Sequence, residues 1–102
     1  MKESYRPFDA AEYLETAGDQ AHLLSDAVES GDPRYIAAAL GDVARARGGI
    51  GKLARDAGLS RQALHKALSE DGNPTLDTIL KVLRALGLHM RIEEDARELE
   101  TA

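Results

Sequence analysis

Apolar residues recur at three- and four-residue intervals through most of this chain, the spacing of helices that each bury one face. Ala21, Leu24, Ala27 and Val28 predict a helix that closes at about Ser30, before Gly31. Asp32-Pro33 is a start signal, a cap residue followed by proline at the first helical position, and it opens a helix to about Arg47 with Ile36, Leu40, Val43 and Ala44 inward. Leu53, Ala57, Leu64 and Leu68 predict two short helices at about 50–57 and 60–69. Asp71-Gly72-Asn73-Pro74 is a dense turn signal. Thr75 then caps a last helix with Leu76, Ile79, Leu80, Leu83 and Leu86 inward, ended by Gly87. Upstream, Pro7 opposes helix at Arg6, and Asp9 with Glu12 suggests a capped short helix to about Thr16. Gly18 and Asp19 break and restart the chain there. Past Gly87 the period changes: Leu88-His89-Met90-Arg91-Ile92-Glu93 alternates apolar and polar, which predicts one short strand. A lone strand needs a partner for its backbone, from the N-terminal segment, a second copy or another protein. The pattern therefore predicts an all-α fold, a small helical bundle with one short C-terminal β-strand. Three regions follow, an extension over 1–32, a helical domain over 33–87 and a strand with a charged tail over 88–102.

The two short helices in the middle carry the strongest functional signal. Ala54 is small enough for a second helix to cross close above the first. Gly58 stands where the chain must enter the left-handed region, Leu59 plugs the angle between the helices, and Ser60 is placed to cap the second. These offsets are those of a helix-turn-helix that lays its second helix in the major groove of DNA. Arg61, Gln62, His65 and Lys66 face outward and could read base edges, with arginine favouring guanine and glutamine adenine. Lys52, Arg55, Ser60, Asn73 and Thr75 are candidates for phosphate contact. Each has a plainer reading, as a solvated surface residue or, for the hydroxyls and Asn73, as a cap or turn former. Arg45 and Arg47 could reach the DNA backbone or simply solubilise their helix.

The overall charge of −5 at first argues against a DNA partner. Its distribution reverses that argument. Between Val43 and Ser69, six basic side chains stand against Asp56 alone, a local net of +5, so the remainder carries −10. Charges act over about 10 Å at ordinary salt, so a duplex responds to the local face and not to the total. The length suits a single small domain, and aromatic residues are few, so the core must be aliphatic. There are no cysteines, which excludes disulfides and thiolate zinc sites and fits a cytoplasmic location. No apolar run approaches a membrane span, and no signal-peptide pattern is present.

Catalytic constellations are absent from the pattern. His22, His65 and His89 lack a zinc-type spacing. Gly51-Lys52 matches a fragment of a phosphate loop, but Ala46 and Leu53 stand where that loop requires glycine and a hydroxyl residue. Glu93-Glu94-Asp95 reads as a solvated charge run. We expect no enzyme, no metal and no cofactor.

Taken together, these stretches resemble the antidote (antitoxin) component of bacterial addiction modules, the Xre/Cro-type, HigA-like group. The resemblance rests on Phe8-Asp9-Ala10-Ala11-Glu12-Tyr13-Leu14, on Asp32-Pro33 with the run from Ile36 to Gly48, on the helix-turn-helix, on Gly72-Asn73-Pro74-Thr75-Leu76 and on Leu80 to Leu88. It covers roughly residues 5–93. The helix-turn-helix specifies only a superfamily, whereas Ala38-Ala39-Leu40-Gly41-Asp42 with the Asn-Pro-Thr turn is much narrower. Gly49-Ile50-Gly51 is richer in glycine than that pattern. The resemblance implies a lambda-repressor-like helix-turn-helix, a homodimer on double-stranded operator DNA, a RelE-like ribonuclease toxin as partner, and repression of the chain's own operon. Two other functions compete with it: a stand-alone Xre-type transcriptional regulator without a toxin, and an interaction module that no longer binds DNA and uses its acidic N-terminal helices.

Overall fold

The computed structural model describes residues 14–96. Its helices, in chain order, are α1 (Ala17–Ser30), α2 (Pro33–Ala46), α3 (Ile50–Ala57), α4 (Arg61–Ala67) and α5 (Leu76–Ala85). Among the described residues no strand is present.

Local chemistry sets the ends of these helices. Thr16 caps α1: its Oγ1 accepts the Asp19 N–H at 3.0 Å, and the Asp19 carboxylate accepts the Thr16 N–H at 3.2 Å. This reciprocal pair corrects the expected break at Gly18-Asp19, since Asp19 completes the cap of a helix already under way. Of the short helix expected from Asp9 to Thr16, Asp9–Tyr13 lie outside the described residues, and Leu14 and Glu15 are not helical. Asp32 caps α2 by accepting the Arg34 N–H at 2.9 Å, with Pro33 as the first helical residue.

The turn between α3 and α4 forms as its residues dictate. Gly58 adopts φ 74°, its N–H donates to Arg55 O, and the Leu59 N–H reaches back to Ala54 O at 2.9 Å. Ser60 Oγ accepts the Ala63 N–H at 3.0 Å and starts α4. Ala54 is buried, and Leu59 packs against the core from the turn.

One aliphatic cluster joins all the helices. Leu24 and Ala27 come from α1, Leu40 and Val43 from α2, Leu53 from α3, Leu64 from α4, and Val82 and Leu83 from α5. Leu40 and Leu64 are among the most deeply buried. Burying such a leucine contributes about 1.5–3 kcal/mol each. α1 packs along α2, and α3 packs on α2, α4 and α5, so α3 is the hub that holds α4 at the surface.

Two expectations about the C-terminal part need correction. Leu76 and Leu80 do not face inward; they are 63% and 47% exposed, while Val82, which the expected face omitted, is fully buried. At about 100° per residue, Leu76 and Leu80 lie beside Leu83 on a flank that the short α3–α4 pair does not reach. Val28 on α1 is likewise exposed. The second correction concerns residues 88–93, which form no strand. A ladder requires an opposing strand, and none exists among the described residues. Leu88 still packs on the core, and its N–H closes the end of α5 by donating to Leu83 O at 2.9 Å.

Candidate nucleic-acid interface

The α4 surface follows from its burial. Leu64 turns fully inward, so Arg61, Gln62, His65 and Lys66 emerge on the opposite side, all exposed. They occupy an arc of about 140° at helical spacing. Arg61 leans back across α3. A methyl group added at Gly51 would sit 3.6 Å from Arg61 Nε and 3.7 Å from its Cδ. The glycine thus leaves the guanidinium stem a smooth surface to lie on.

The remaining candidates divide by what they already hold. Lys52 forms a 2.9 Å ion pair with Asp56 one turn along α3, both side chains being well exposed. Such a pair is worth about 0–1 kcal/mol and yields readily to a phosphate. Arg55, Arg61 and Lys66 have no acidic partner among the described residues, and Arg55 lies in the last turn of α3, where a cation favours the helix dipole. Ser60 uses an oxygen lone pair for its cap, so its O–H is left to donate. Thr75 is more fully committed: its Oγ1 accepts the Thr78 N–H at 3.1 Å and pairs with Thr78 Oγ1 at 3.1 Å. Asn73 is exposed in the turn before α5.

The two arginines at the end of α2 take different roles. Arg45 pairs with Asp42 at 2.6 Å on the surface. Arg47 is turned inward. Its Nη1 donates to Gln20 Oε1 at 2.8 Å and its Nη2 to Leu86 O at 3.3 Å, while Gln20 Nε2 donates to Leu14 O at 3.1 Å. Among the described residues Gln20 is the buried polar one, 2% exposed. The sequence reading missed this network, although a glutamine at an otherwise apolar helical position was a legible signal for it.

A Tyr35–Asp26 contact links α2 to α1. The Tyr35 hydroxyl donates to Asp26 Oδ2 at 2.6 Å. That hydrogen bond, with loss of hydration and the carboxylate charge, raises the phenol above its ordinary value of 10.0. Among the described residues no cluster of three or more His, Cys, Asp or Glu could hold a metal ion. No helix among them is long and apolar enough to cross a membrane.

Fold and surface define the class: a small protein, helical and without a strand among its described residues, that presents a short helix with basic and amide side chains on its outer face. The chain belongs to the family of probable addiction module antidote proteins, whose model matches residues 4–94. It is also similar to an uncharacterized protein of Haemophilus influenzae, 42% identical over 94 residues, covering 92% of this chain and 96% of the relative. No solved structure matches. Membership of an antidote family implies a toxin as partner and a regulatory role.

Proposed function

We propose that this chain is the DNA-binding antitoxin of a type II toxin–antitoxin pair. It neutralises a RelE-like ribonuclease toxin in the cytoplasm and represses its own operon. Residues 33–87 form the DNA-binding unit, flanked by extensions over 1–32 and 88–102. The observation that carries the reading is the α4 face: Arg61, Gln62, His65 and Lys66 are exposed together while Leu64 anchors the helix from behind. In this reading α4 enters the major groove, and Arg61 and Gln62, at its N-terminal end, reach furthest toward the bases. Lys52, Arg55 and Ser60 fix the register through phosphates, and Asn73 and Thr75 lie at a more distant phosphate.

The active form is a homodimer that reads two half-sites about one helical turn apart. Leu76 and Leu80, exposed one turn apart on α5, supply apolar surface for the second copy. Two measurements test the reading. The full chain should retard a duplex taken from upstream of its own gene, with affinity that falls steeply as salt rises. Co-expression with the product of the adjacent reading frame should relieve the growth arrest that product causes. Absence of both effects overturns the proposal.

A further inference from the structure

Helices α1 and α5 and the segment 88–95 border an open groove of about 1130 Å³. Its wall is apolar. Leu24, Ile79 and Leu83 line it from the core side, and Val28, Met90 and Ile92 line it while exposed, Ile92 to 95%. Its rim is acidic: Asp26, Glu29, Glu93 and Glu94 stand there with Arg91, which lies 3.9 Å from Glu93. The backbone of 89–94 makes no hydrogen bond to another backbone group among the described residues. No residue of α3 or α4 lines the groove.

We infer that this groove is the toxin-binding surface and receives a basic segment of the toxin that carries apolar side chains. The inference rests on the antitoxin reading above and adds to it a site and a chemistry. Charge selects the occupant. A nucleic-acid phosphate would meet the rim carboxylates, and like charges repel. A second copy docked about a two-fold axis would set one acidic rim against another. A basic polypeptide instead gains attraction at the rim, apolar burial on Val28, Met90 and Ile92, and backbone partners along 89–94. Because the groove excludes α3 and α4, an occupied groove leaves the α4 face uncovered, and toxin and operator are held at the same time.

The test titrates the purified full chain with the purified product of the adjacent reading frame by calorimetry, at two salt concentrations. Val28→Asp with Ile92→Asp is expected to weaken binding at least tenfold. Glu93→Lys with Glu94→Lys is expected to weaken it severalfold and to remove most of its salt dependence. Arg61→Ala with Lys66→Ala should leave toxin affinity unchanged while abolishing operator retardation. Val28 and Ile92 lie outside the core, so unchanged melting curves will show that the fold is kept. If the groove variants bind like the wild type, the inference falls and the antitoxin reading stands. If the wild-type chain itself does not bind, the antitoxin reading fails and the groove assignment fails with it. If Ile92→Asp changes the oligomeric state of the chain alone, the groove is a contact between copies and the inference is overturned.

Discussion

Arg47 and Gln20, 27 positions apart in the chain, meet side chain to side chain at 2.8 Å and tie the end of α2 to the first turns of α1. The pair is a small closed network, because each partner also holds a backbone carbonyl, Leu14 O for Gln20 and Leu86 O for Arg47. Truncating Arg47 to alanine strands the buried Gln20 oxygen, a loss of about 1–3 kcal/mol. Lys81→Ala removes a surface pair with Asp77 on α5 and should cost less than about 1 kcal/mol. Urea midpoints of the two variants check the contrast. Gln20→Leu combined with Arg47→Met should recover only part of the loss, since the apolar pair removes the stranded amide oxygen but leaves the Leu14 and Leu86 carbonyls without these donors.

A glycine that sequence patterning assigned only to a turn has a packing role. A Cβ on Gly72 would lie 2.2 Å from Ala67 O and 2.6 Å from Lys66 O, both backbone atoms that cannot swing aside. Gly72→Ala should therefore destabilise the protein by about 1–3 kcal/mol through forced backbone movement. Gly51→Ala is the control, because its methyl would sit at ordinary contact distance from the flexible Arg61 side chain. Thermal melts of the two variants should separate clearly.

On DNA, base-reading and phosphate-holding residues should differ in kind. Arg61→Ala should lower operator affinity by about 1–3 kcal/mol and relax base preference at one position, with little change on random duplex. Lys52→Ala should weaken operator and random duplex alike and make the salt dependence shallower by about one charge. Equal losses on both duplexes for Arg61→Ala would remove its base-reading role.

The Tyr35–Asp26 bond predicts an alkaline effect. The folded phenol titrates above its ordinary 10.0, so the folded state holds that proton more tightly than the unfolded state. The stabilisation is complete below the ordinary value and disappears as pH rises through the raised one. Asp26→Asn should lower the Tyr35 titration toward the ordinary phenol value, read from tyrosinate absorbance against a Tyr35→Phe background. It should also flatten the loss of stability on the alkaline side.

The helix ends and most of the core were legible in the sequence because they depend on neighbouring residues. Asp32-Pro33, Gly58 with Leu59, Ser60 and Thr75 each act within a few positions, and each sits where that local chemistry puts it. The face of α5 was harder to read. Leu76 and Leu80 have the same hydrophobicity as Leu83, and only the reach of the short α3–α4 pair decides which of them is covered. Arg47 was illegible for a related reason: its inward turn depends on Gln20 and Leu86 O, which no window around residue 47 contains. Residues 88–93 alternate as a strand does, but alternation records a preference for pairing and supplies no second strand. The outward set Arg61, Gln62, His65 and Lys66 was readable because Leu64 and Leu68 fix the rotation of α4.

One consequence of the Gln20–Arg47 clamp concerns topology. Leu14 and Leu86 offer their carbonyls to the same carboxamide–guanidinium pair, so the segment that leads into α1 and the end of α5 lie near each other. A short linker can bridge such neighbouring ends. A circularly permuted chain of residues 14–88, joined end to end there and reopened in the exposed Glu70–Asp71 turn, would thus keep the packed helices and the Leu88 contact while its new termini emerge beside α4.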